Sequence, residues 1–309
     1  MEFNDFQAHL SGVAAVTVTP FTSDLELDEA GLRRIVRHLD APGGTDTIVA
    51  CGGTAEFYAL TPDERRRITL TILDEARRAP VIVSVGLDAV GAAQVAREAE
   101  NHGAAGIMVH QPIHPYIHPE GLLSYYRQIC DAVSIGVVAY VRDPAVSTDL
   151  LAQIIGIDNV VGVKYAVNDV RRFGTIVEEL SGVSDVAWLC GTAEAWAPFF
   201  WLAGATGFTS GLANFAVHEA VALRDALRSG DVAEIRRLWK RLRPLEDLRS
   251  RYADANNIAG LKAGVELCGL AGEAIRPPLR PLPPAEKMEL ASILRSWGLL
   301  DGTGMANVS

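Results

Sequence analysis

The chain has 309 residues, 49% of them hydrophobic and 21% charged, which suits one large core and is too apolar for a disordered polymer. A formal net charge of −10 argues against a polyanion such as nucleic acid as partner. It leaves open an anionic small molecule, which needs only a locally positive pocket.

No apolar run free of charges and turn residues reaches the roughly 18 residues of a membrane span, so no membrane partner is expected. The opening "MEFNDFQAHLSG" lacks the basic and apolar segments of a secretion signal, and a cytoplasmic location is expected. Cys51, Cys130, Cys190 and Cys268 form no CxxC pair and read as free thiols in a reducing compartment.

Short apolar runs then alternate with amphipathic ones. "GVAAVTVTPF" from Gly12 reads as a first strand, followed by the helix pattern "DEAGLRRIVRHLD". "TIVACGGT" from Thr47 is the second. "LTPDE" then opens a helix, with Thr61 as N-cap, Pro62 in the first turn and Glu64 as capping-box acid. "VIVSVGL" from Val81 precedes "AAQVAREAENHG", which Gly103 stops, and "AGIMVHQP" from Ala105 precedes "PEGLLSYYRQICDAV". "IGVVAYV" from Ile135, "VVGVKYA" from Val160 and "VAWLCGT" from Val186 precede "STDLLAQIIG", "DVRRFGTIVEELSG" and "AEAWAPFFWLAGA". "GFTSG" from Gly207 comes last, before "FAVHEAVALRDALRSG".

Eight strands, each followed by a helix, predict a TIM (β/α)8 barrel over residues 1–230. No glycine-rich phosphate fingerprint follows the first strand, which weighs against a dinucleotide site. Residues 231–309 read as a C-terminal helical appendage built from "DVAEIRRLWKRLRPLEDLRSRYAD", "IAGLKAGVELCGLAG" and "AEKMELASILRSWGLL". "IRPPLRPLPP" is a stiff linker before the last of these, and "DGTGMANVS" a frayed end.

One residue breaks the apolar logic. In "NVVGVKYAVND", Lys164 interrupts a strand that otherwise reads as buried on both faces. A buried ammonium is costly, and desolvation favours the neutral amine, which is a nucleophile. The bland alternative is a lysine snorkelling from a strand end. In a barrel the C-terminal strand ends face the active site, so those ends test the idea. They supply Gly52, Gly53, Thr54 and Glu56 on the second strand, Tyr140 and Arg142 on the fifth and Gly191 and Thr192 on the seventh. The eighth adds Ser210, Gly211 and Asn214. Amide groups beside glycine and the Thr54 hydroxyl can hold a carboxylate, Lys164 can condense with a ketone, and Tyr140 can move a proton. Arg142 offers a bidentate grip on a distal carboxylate, unless it is spent in a loop ion pair with Asp143. Glu56 is read as structural support for the turn.

Three further clusters read as structural. His110, His114 and His118 recur every fourth residue, but Pro112, Pro115 and Pro119 prevent a helix there, and no metal site is expected. "RRLWKRLRPLEDLRSR" reads as a solvated helix face, and Trp196, Phe199, Phe200 and Trp201 as core or subunit interface.

"GGTAE", "AYVRDP" and "GVKYA", in that order, resemble the carboxylate, tyrosine and lysine motifs of the dihydrodipicolinate synthase / N-acetylneuraminate lyase family of Schiff-base-forming barrels. The resemblance runs from "TVTPF" to "RPPLRPL". It implies a lyase with Lys164 as imine-forming lysine and Tyr140 as proton relay. Gly53 and Thr54 would hold the carboxylate of a 2-keto acid, without metal or organic cofactor, in a homotetramer. It departs from the synthase branch at Ala145, where that branch usually has arginine, and at Ala55 in the carboxylate motif. The synthase's second tyrosine would fall near His114, a candidate pocket residue, with Tyr116 close by. "GGTAEF", "LTPDE" and Tyr-x-Arg-Asp look more like the 5-dehydro-4-deoxyglucarate dehydratase branch. The expected reaction is therefore dehydration of a 2-keto-3-deoxy sugar acid or diacid. Aldol cleavage, the synthase reaction and a non-catalytic keto-acid sensor stay open, the last opposed by the joint presence of Lys164 and Tyr140.

Overall fold

The computed structural model describes residues 2–300, so the segment read as frayed lies outside the described residues. Eight strands close into a barrel in chain order. They are β1 (Val13–Val16), β2 (Thr47–Ala50), β3 (Val81–Val85), β4 (Gly106–His110), β5 (Gly136–Val141), β6 (Val160–Tyr165), β7 (Ala187–Cys190) and β8 (Gly207–Ser210). Every neighbouring pair is parallel, and β1 closes on β8 with Val13 beside Phe208. The expected barrel is therefore the observed one.

Side chains alternate between the two sides of the barrel wall, as a period of two dictates. Ala14, Val16, Val49, Ile82, Met108, Val138 and Leu189 form one buried cluster. Ala15, Ile48, Val83, Ile107, Val137, Val163 and Phe208, one residue out of phase, join a second cluster with the helices. The first fills the barrel, and the second glues the helical ring to it.

That ring comprises α2 (Glu29–Leu39), α3 (Pro62–Glu75), α4 (Ala89–Asn101), α5 (Pro119–Cys130), α6 (Thr148–Ile155), α7 (Val170–Leu180), α8 (Ala197–Leu202) and α9 (Ala213–Ser229). The Thr61 cap and Glu64 box of α3 form as read from the sequence. Each strand is shorter than its apolar run. β1 ends at Val16 although the run continues to Phe21.

The sequence did not announce α1 (Phe3–Leu10), which packs into the inner cluster through Phe6 and Leu10. Gly106 and Gly136 make room for it, since a Cβ at either would overlap the Phe6 ring. Eight residues carry too little periodicity to stand out in a sequence.

Beyond Gly230 lie α10 (Val232–Arg249), α11 (Arg251–Asp254), α12 (Asn257–Leu267) and α13 (Pro284–Ser296). The outer cluster runs on through Leu238, Leu242, Leu261 and Leu290, so these helices pack on the barrel rather than hang from it. The helix read through Asp254 stops at Arg249, because Tyr252, Ala253 and Asp254 all take positive φ.

Phe6→Ala should empty the barrel floor and lower the unfolding free energy by about 3–5 kcal/mol in a urea titration. A loss under about 1 kcal/mol would mean that α1 is not part of the core.

Candidate active site

Registry across three strands builds the centre of the site. His110 pairs with Tyr140 between β4 and β5, and Tyr140 with Lys164 between β5 and β6. All three therefore share one row on the barrel's inner side, above the apolar layers. Lys164 is 5% exposed, and its Nζ lies 4.1 Å from the Tyr140 ring centroid. Among the described residues no carboxylate pairs with it. A lysine so placed is stabilised by the ring face rather than by an ion pair, which leaves its nitrogen free for chemistry.

A cavity of about 990 Å³ opens over this row and brings together Gly53, Thr54, Tyr140, Arg142, Lys164 and Gly191. Gly52–Gly53 turns the chain tightly out of β2. A Cβ at Gly52 would overlap Val16, whereas one at Gly53 would meet nothing within 4 Å, so the open space begins at Gly53. The Gly53 and Thr54 amides find no hydrogen-bond partner among the described residues. Arg142 reaches the Tyr58 hydroxyl at 3.4 Å, while the Asp143 carboxylate accepts from the Ala145 amide at 2.8 Å. The loop ion pair therefore does not form, and among the described residues no carboxylate pairs with Arg142 on the cavity wall.

Ser210, Asn214 and His114 are not brought to the cavity. Ser210 falls on the outer side of β8, where its hydroxyl bonds Glu194 and accepts from the Ala213 amide. Asn214 staples two barrel ends. It accepts from the Val18 amide at 3.0 Å and donates to the Val16 and Gly211 carbonyls, both at 2.8 Å. His114 is exposed and accepts from the Tyr116 amide at 3.1 Å, because the loop after β4 runs outward. Strand-end position brings a residue to the right height, but alternation decides which side it faces.

Several residues in or behind the cavity carry no sign in the sequence. His110, read only as part of a histidine cluster, does not line the cavity but lies beside Tyr140, buried with both ring nitrogens unpartnered, and Gly86 and Phe57 pack against it. Burial, helped by the Lys164 and Arg142 charges, pushes its pKa down to about 3, so it is a neutral imidazole. Among the described residues no group of three or more potential ligands could hold a metal.

The run "RRLWKRLRPLEDLRSR" is not simply a solvated face. Trp239, Arg243, Glu246 and Arg249 of α10 line the cavity, and Glu246 and Arg249 are buried as a pair at 2.5 Å. Trp196 and Phe199 line it too. Behind them Glu194 is fully buried, and burial together with the Glu246 charge pushes its pKa up to about 7 against the pull of Arg249. Polar residues spaced on one helix gave no sign of which face the barrel would cover.

The sequence pattern of the Dihydrodipicolinate synthetase family matches residues 9–297. The chain belongs to that family. A probable 5-dehydro-4-deoxyglucarate dehydratase of Rhizobium rhizogenes is 32% identical over 294 residues, covering 93% of this chain and 95% of that protein. A 4-hydroxy-tetrahydrodipicolinate synthase of Pelobacter propionicus is 31% identical, covering 94% and 99%. The crystal structure of dihydrodipicolinate synthase from Oceanobacillus iheyensis superposes with a TM-score of 0.92 at 36% identity, covering 96% and 99%. The chain is accordingly a lyase of this family's aldolase type, as its motifs led one to expect.

Glu194 carries a pH signature. Its folded pKa lies above the ordinary value of 4.5, so the folded state holds a proton that the unfolded state releases. Its contribution to stability is full below about pH 4.5 and is lost as pH rises through about 7. Glu194→Gln should flatten that decline and raise Tm at pH 7.5 by roughly 2–6 °C. Parallel Tm–pH curves for the two proteins would contradict this assignment.

Proposed function

We propose that the protein dehydrates a 2-keto-3-deoxy sugar diacid through an imine on Lys164. The observation that carries this reading is the juxtaposition of an unpaired, buried Lys164 with Tyr140, beneath a cavity whose wall holds Arg142.

The Lys164 amine attacks the C2 ketone carbon, and the carbonyl oxygen leaves as water, taking one proton from the amine and one delivered from solvent by Tyr140, to give a positively charged imine; hydrolysis later returns that proton. That charge draws on the C3–H bond. One proton passes from C3 to the C4 oxygen by way of Tyr140, the C4–O bond breaks, and a second water departs. Hydrolysis of the imine consumes one water and frees Lys164, so the net change is substrate to product plus one water. The Gly53 and Thr54 amides and the Thr54 hydroxyl hold the C1 carboxylate, each charged hydrogen bond worth about 1.5–3 kcal/mol. Arg142 takes the distal carboxylate, with Tyr58 steadying the guanidinium.

The dehydratase relative favours this reaction, and the synthase relative keeps a second reading in play, in which the same imine serves carbon–carbon bond chemistry. A homotetramer remains part of the proposal. Ile113, Tyr116 and Leu202 are 71%, 86% and 88% exposed, which suits contact between copies.

The test is a panel of 2-keto-3-deoxy monoacids and diacids, with products identified by mass and NMR. The proposal expects a product that keeps every carbon, or loses only carbon dioxide, and lacks one water. Pyruvate and an aldehyde as products would replace dehydration with aldol cleavage. Arg142→Leu should raise KM for the diacid by about 10–100-fold, the worth of one charged hydrogen-bonded contact, and leave a monoacid of equal length within threefold. Equal losses on both substrates would remove Arg142 from the distal grip.

A further inference from the structure

Two lysines are buried in this protein, and the mechanism uses one. The other, Lys262 on α12, is 1% exposed, and its Nζ meets Glu56 Oε1 at 2.5 Å. Glu56 closes the turn that carries Gly53 and Thr54, since its amide donates to the Gly53 carbonyl at 3.2 Å. It does so at φ 59° and ψ 38°, a left-handed conformation that costs a side-chain-bearing residue about 1–2 kcal/mol. That conformation persists only if the surroundings hold it. They do so through the carboxylate, because the second oxygen accepts from the Arg276 amide at 3.2 Å. The Thr19 hydroxyl adds a tie to the Ala55 carbonyl at 2.8 Å.

We propose that the Lys262–Glu56 pair is a positioning device through which the C-terminal helices set the carboxylate-binding turn, and so govern how tightly a keto acid is held without touching it. The inference rests on the Lys164 reading above.

The groups facing Lys262 are the Glu56 carboxylate, the Phe21 ring at 4.2 Å and the Arg276 guanidinium. Arg276 also lies over that ring, 4.1 Å from its centroid, and is itself paired with Glu64. Burial pushes the Lys262 pKa down to about 8 against the pull of Glu56. Lys262 thus loses its proton, and the ion pair its cation, as pH rises through about 8. The contribution of Lys262 to stability does not fall in that window. The unfolded chain, with lysine near 10.5, binds more protons there, so this contribution rises with pH while the turn slackens.

Glu56→Gln combined with Lys262→Met replaces the pair with neutral side chains of similar volume, a change buried pairs often tolerate. The probe is pyruvate, and the readout is its half-saturating concentration for borohydride fixation. At pH 7 the double variant should need about tenfold more pyruvate than the wild type and reach the same final yield of adduct. The gap should narrow above about pH 8, where the wild type loses the ion pair. Glu56→Asp keeps the charge but shortens its reach, and should shift the concentration in the same direction by a smaller factor. Equal half-saturation for folded variants and wild type overturns the inference, as does a gap that persists unchanged to pH 9. No adduct in the wild type overturns the Lys164 reading and this inference with it.

Discussion

Everything in the site follows from one constraint. In a closed parallel barrel, adjacent strands hold their inner side chains in fixed registry, and here that registry sets His110, Tyr140 and Lys164 side by side. The same wall buries Met108, Val138 and Leu189 beneath them, so the row is closed from below and opens only to the cavity above. A lysine there cannot find a counter-ion without another charge entering the core, and it rests on the Tyr140 ring instead. The same unpaired setting leaves its nitrogen facing the cavity.

Around that row the protein keeps its charges paired where they are structural and unpaired where they are useful. Glu56 with Lys262 is a buried couple that ties α12 to the barrel mouth, and Glu246 with Arg249 is a second buried couple within α10. Lys164 and Arg142 have no carboxylate partner among the described residues. An anionic substrate can therefore find the Arg142 guanidinium and an unpaired Lys164 in one cavity, although the chain as a whole carries a net charge of −10. Local arrangement, not overall charge, decides what such a pocket attracts.

Much of this was legible in the sequence, and the limits have physical causes. Strand and helix alternate with clear periodicity, so the barrel and its C-terminal strand ends could be read directly. Lys164 stood out because it violates the apolar pattern. Gly53, Thr54, Tyr140 and Arg142 followed from their place at strand ends. Ser210 shared that place but faces outward, and a shift of one residue in the pleat cannot be seen in a run of five residues such as "GFTSG"; Asn214 lies past the strand on α9, its amide spent on the Val16, Val18 and Gly211 backbone. The charged run on α10 looked solvated because it alternates sign, yet tertiary packing turned Glu246 and Arg249 inward. Lys262 was hidden for the opposite reason. It sits in an apolar helix, its partner lies 206 residues away, and only the folded chain brings the two together.

The central claim is that the imine forms on Lys164. It is tested most directly by fixing the complex of wild-type protein and pyruvate with borohydride and mapping the modified peptide by mass spectrometry. The account predicts one adduct of pyruvate less the carbonyl oxygen, on Lys164 alone, and none in Lys164→Ala. An adduct on Lys262 or elsewhere, or an unchanged yield in Lys164→Ala, would contradict it.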